Sequence, residues 1–98
     1  METVSERITA LFEEWEKRQR FIPSARGKRA IFIFSVETRI EKQTLNAWMS
    51  GNRTPTDMDM LGRLSDECDS SIDWIMRGVG DPGPLLIKAA KLAGRDSE

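Results

Sequence analysis

At 98 residues, with 39% hydrophobic and 32% charged side chains and a net charge of −1, the chain has the make-up of one small domain with a modest core. Its one cysteine, Cys68, excludes an internal disulfide and fits a reducing, cytoplasmic setting. With no histidine and no CxxC pair, no metal site or cofactor is expected. No nucleophile stands beside a candidate base, so no enzymatic activity is expected; the opening METVSER has no signal pattern, and the longest apolar run, Ala30 to Phe34, is far too short to cross a bilayer.

Taken in chain order, TVSE predicts a capping box, with Thr3 as cap and Glu6 reaching back. Val4, Ile8, Leu11, Phe12 and Trp15 follow at helical spacing and predict a first helix from Val4 to Arg20. It ends before Ile22, because a residue ahead of proline is driven toward an extended conformation. PSARG reads as a loop. KRAIFIFSV suits a buried strand or a buried helix equally by periodicity, but no other segment offers a strand partner. A short buried second helix is therefore expected, with Ser35 as the small side chain where a neighbour crosses closely. VETRIEK reads as a turn.

A third helix carries Leu45, Trp48 and Met49 inward and closes at Gly51, which suits the left-handed closing position. Its start has two readings: near Arg39 if Thr38 and Glu41 form a capping box, or near Glu41. NRTPT is a loop. Thr56 is expected to cap a fourth helix, with Asp57 and Asp59 favourable in its first turn and Met58, Leu61 and Leu64 on its apolar side. SSID restarts the chain as a fifth helix carrying Ile72, Trp74, Ile75 and Met76 before Gly78. VGDPGP has the composition of a hinge. LLIKAAKLAG predicts a small tail helix with Leu85, Leu86, Ala89 and Leu92 on one side. The expectation is an all-α chain of five short helices plus a C-terminal tail helix, with residues 1–80 as the main domain and 81–98 as hinge and tail. Trp15, Trp48 and Trp74 belong in its core, Met58, Met60 and Met76 are gap-fillers, and Cys68 is a buried or semi-buried small side chain.

Charge is unevenly distributed. Arg26 to Arg53 holds six basic residues against two acidic ones, a net +4, whereas Asp57 to Asp73 holds six acidic residues against Arg63, a net −5. A basic face and an acidic back is one reading, and two solvated surfaces is the other.

Between about Arg29 and Gly80, Ser35 stands in the second helix, Ile40 after the turn, Leu45 and Trp48 in the third helix, then Gly51, Arg53 and Pro55. On these residues the segment resembles the Cro and lambda-repressor family of helix-turn-helix DNA-binding domains. The resemblance ends on DWIMRG, Asp73 to Gly78, close to the DWLLxG ending of many phage repressors. It implies a compact lambda-repressor-like bundle. The chain departs from the family at Arg39, where the turn commonly holds glycine, and at Ile31, where a phosphate-binding glutamine is often found. Lys28 and Arg29 are then left to replace that anchor.

In a major groove, the N-terminal residues of the second motif helix face base edges. Gln43 and Asn46 suit paired bonds to adenine, Lys42 suits guanine, and Glu41 can accept from cytosine N4. Thr44, Asn52 and Arg53, with Lys28, Arg29 and Arg39, are the expected phosphate contacts. A polar, solvated helix face accounts for the same residues without a partner. The resemblance implies a phage-type repressor that binds a palindromic DNA operator as a homodimer, with Trp74 and Ile75 or the tail residues Leu85, Leu86, Ala89 and Leu92 as dimer surface. The tail docks either on its own bundle or on a second copy. The alternative is a protein-interaction module on the same fold, antitoxin-like or an antirepressor, with weak or no DNA binding. Ala93-Gly94 matches the Ala-Gly at which some related repressors release a self-cleaving peptidase domain, although so common a dipeptide arises by chance. A longer repressor with a peptidase domain, or an antirepressor partner, stays open.

Overall fold

The computed structural model describes residues 3–18 and 28–87, and of residue 28 the backbone alone. Five helices succeed one another: α1 Val4–Arg18, α2 Lys28–Thr38, α3 Lys42–Ser50, α4 Met58–Cys68 and α5 Ile72–Arg77. Among the described residues there is no strand, so the chain is all-α as expected.

α1 opens on the expected cap, but Glu6 reaches back to the Thr3 hydroxyl and not to its backbone N–H, so the box is half made. The Thr3 hydroxyl accepts from the Glu6 N–H at 3.1 Å and donates to the Glu6 carboxylate at 3.0 Å. Ile8, Leu11 and Trp15, spaced to share one face, are buried. Trp15 packs against Phe34 of α2 with ring centroids 4.7 Å apart and donates its indole N–H to Glu67 of α4 at 3.1 Å. One side chain thus ties three helices together. The expected end of α1 at Arg20 and the break before Ile22 lie outside the described residues.

KRAIFIFSV is helical, as the lack of a strand partner implied. α2 runs on to Thr38, however, so the expected turn over VETRIEK is too long at its start. Thr38 does not cap α3 either. It is fully buried in the last turn of α2, where its hydroxyl donates to the Phe34 carbonyl at 2.7 Å. That hydroxyl is turned onto its own helix, and no side chain bonds the first N–H groups of α3. The reading that starts α3 near Glu41 is therefore the right one: Glu41 holds the cap position without a side-chain cap bond.

α4 is capped one residue later than expected. The Asp57 carboxylate, not Thr56, accepts from the N–H groups of Asp59 and Met60, at 2.9 and 3.3 Å. Leu61, Leu64 and Cys68 are buried, but Met58 is 62% exposed and leaves the apolar side. α5 starts at Ser71, whose hydroxyl accepts from the Trp74 N–H. It ends under the buried Arg7 guanidinium, which donates to the carbonyls of Ile75 and Met76 at 2.8 and 3.1 Å. These are terminal carbonyls that no helical N–H reaches.

The VGDPGP segment is not a free hinge. The Asp81 carbonyl accepts from Ser71, the Asp81 side chain accepts from the Gly83 N–H, and Gly83 packs against the backbone at Asp69. A Cβ at Gly83 would lie 2.3 Å from the Asp69 carbonyl oxygen, and its φ of +91° already favours glycine. Residues 84–87 form a helical turn that sets Leu85 and Leu86 into the same core as the five helices. Trp74, Ile75, Leu85 and Leu86 are all buried within their own chain, so the described part of the tail docks in cis. Ala89 and Leu92 lie outside the described residues. No helix among the described residues is long and apolar enough to cross a membrane.

Candidate nucleic-acid interface

The phase of α3 is set by its two buried side chains. Leu45 and Trp48, three residues apart, are 0% and 3% exposed and fix which face turns inward. At 3.6 residues per turn Gln43, Asn46 and Ser50 lie opposite with Lys42 to one side of them, and all four are exposed. Glu41, just ahead of the helix, is exposed too. Thr44 and Ala47 lie half-buried at the rim. The side chains of Glu41, Lys42, Gln43 and Asn46 make no hydrogen bond to another described residue, so their side-chain donors and acceptors are uncommitted. The expected base-reading residues are therefore brought onto one face. Ser50 completes that arc, as its position one turn after Asn46 allows, but it was missed because it abuts the closing glycine.

Side chains hold the backbone at the C-terminal end of α3 and in the turn that leads into it. At the C-terminal end, the hydroxyls of Ser5 and Thr9 on α1 both donate to the Met49 carbonyl. Gly51 closes the helix at φ +83° with its N–H on the Trp48 carbonyl, and the Arg53 N–H returns to the Ala47 carbonyl at 3.2 Å. This fold-back sets Asn52 and Arg53, both exposed, just past the end of the outward arc. Beside them the hydroxyl residues Thr3, Ser5, Ser50 and Thr54, together with Arg53, line a cleft of about 400 Å³ between α1 and α3.

At the N-terminal end the α2–α3 turn is tight. The Ser35 hydroxyl donates to the Ile40 carbonyl, and the Ile40 N–H returns to the Ser35 carbonyl at 3.2 Å. Ser35 is thus the small residue at a close crossing, as expected, and a hydrogen-bonding one as well. Arg39 takes the left-handed conformation, φ +56°, that a glycine usually fills. For a non-glycine residue this costs about 1–2 kcal/mol. The turn therefore keeps a tight geometry despite its arginine. Arg63 of α4 donates to the carbonyls of Thr38 and Arg39, both at 3.1 Å.

The remaining cationic candidates are distributed around this frame. Arg39 is exposed in the turn and Arg29 in the first turn of α2, while the side chain of Lys28 lies outside the described residues. Ile31 is only 9% exposed, so that position serves the core and offers no polar anchor. The exposed carboxylates Asp59 and Asp66 sit on α4, with Asp57 at its cap, whereas the outward cations Arg39, Lys42 and Arg53 belong to α3 and its flanks. No protein-family model, curated protein or solved structure matches the chain.

Proposed function

We propose that the chain is a sequence-specific DNA-binding transcriptional regulator of the lambda-repressor-like type, a phage-type repressor acting in the cytoplasm. α3 is its reading helix. The observation that carries this is the outward face of α3: the side chains of Lys42, Gln43 and Asn46, with Glu41 ahead of them, are exposed and uncommitted, and Gln43 and Asn46 lie opposite a fully buried apolar face. In a major groove those groups meet base-edge donors and acceptors, and Arg39, Asn52 and Arg53 flank them where phosphates would run. A single helix reads few base pairs, so the regulator binds as a homodimer on a near-palindromic operator with half-sites about 34 Å apart.

The test is affinity for random duplex DNA across a salt series. Phosphate neutralisation by several cations gives a steep fall of log K with log[salt]. A flat dependence, or no binding, removes the proposal. It would favour the second reading, a protein-interaction module, for which one observation speaks. Phe32 and Val36, one turn apart on α2, are 61% and 57% exposed.

A further inference from the structure

We infer that Arg63 is a positioning residue for α3, a role that rests on the DNA-reading function proposed above for its link to specificity. The carbonyls of Thr38 and Arg39 that it holds belong to the two peptide planes on either side of the Arg39 Cα. The relative orientation of those planes is the φ and ψ of Arg39. A guanidinium is flat and its N–H groups form a rigid fork, so bonding both carbonyls at once specifies that orientation. The orientation specified is the left-handed one, φ +56°, which a residue with a Cβ adopts only at a cost. It sets the direction in which the chain leaves α2 and enters α3, and hence the aim of Lys42, Gln43 and Asn46.

The geometry also makes Arg63 more than a surface charge. Its side chain is half-buried and, among the described residues, pairs with no carboxylate, so the cation is committed to carbonyls. A glycine at position 39 adopts the same turn without help. The need for Arg63 is then a consequence of having arginine at 39, and the two positions are coupled.

The experiment compares Arg63→Met and Arg63→Lys in the native background and in an Arg39→Gly background, well below the unfolding temperature. Two quantities are read: the ¹H–¹⁵N amide shifts of residues 42–50, and affinity for a selected DNA site against random duplex. Arg63→Met is expected to move the α3 amides and to weaken the selected site about tenfold, with less than about a twofold effect on random duplex. With Arg39→Gly in place, both effects shrink to within about twofold. Arg63→Lys, which keeps the charge without the fork, falls between. Equal losses in the two backgrounds, or unmoved α3 amides, overturn the inference. If Arg63→Met does not fold, Arg63→Lys carries the same comparison. If the native protein binds no duplex at all, the DNA-reading proposal fails while the amide shifts still decide the role of Arg63.

Discussion

Replacing Trp48 by alanine separates the inner face of α3 from its outer one. Trp48 is 3% exposed and belongs to the core cluster formed with α1, α2, α4 and α5. A buried aromatic side chain removes about 150–250 Å² from water, which at about 25 cal/mol/Å² is roughly 4–6 kcal/mol. A denatured chain that already hides part of that surface lowers the figure by about 10–40%, giving about 2–5 kcal/mol, which overlaps the range of about 3–5 kcal/mol found for large aromatic truncations. Against a total stability of about 5–15 kcal/mol, that is a large share of the whole. Urea denaturation followed by far-UV circular dichroism measures it without relying on the lost fluorophore. Gln43→Ala, on the opposite face, is expected to stay within about 0.5 kcal/mol of the native protein in the same assay. A Trp48→Ala loss below about 1 kcal/mol, or a Gln43→Ala loss above about 2 kcal/mol, would mean that α3 is rotated from the phase assigned to it.

Asp57→Ala removes the carboxylate that caps α4 and is expected to lower stability by about 0.5–2 kcal/mol, whereas Thr56→Ala changes it by no more than about 0.5 kcal/mol; equal effects in urea denaturation would contradict the cap assignment. Cys68 is 1% exposed, and burial, with the Glu67 carboxylate adding to it, pushes its thiol up from 9.0 to about 12. The native protein should therefore resist a thiol reagent at pH 8 and react at once in urea; rapid native labelling would place Cys68 at the surface. Because the folded pKa lies above the unfolded one, the neutral thiol's contribution is complete below pH 9 and is lost as the pH rises toward 12, so Cys68→Ala should flatten the alkaline fall in stability.

The parts of the fold legible in the sequence are those set by apolar periodicity. Ile8, Leu11 and Trp15 mark one face of α1, and Leu45 and Trp48 fix the phase of α3 well enough to name its outward residues. What was not legible depends on which of two adjacent groups reaches a backbone N–H. Thr56 and Asp57 are both good caps, and one residue of phase decides between them. Thr38 carried the spacing of a capping box, yet burial turned its hydroxyl back onto Phe34. An apolar stripe also does not say what covers it: Trp74, Ile75, Leu85 and Leu86 have the character of an interface and are covered by their own chain. Arg7 and Arg63 bind carbonyls 68 and 25 residues away in the chain, contacts that follow no local pattern.

The central claim is that the outward face of α3 reads bases. Selecting bound sequences from a random duplex pool, then measuring Gln43→Ala on the selected site and on random DNA, tests it most directly. The account predicts an enriched near-palindrome, and a loss for Gln43→Ala of about 1–3 kcal/mol on that site with much less on random duplex. A pool that yields no enriched sequence, or an equal loss on both DNAs, would contradict it.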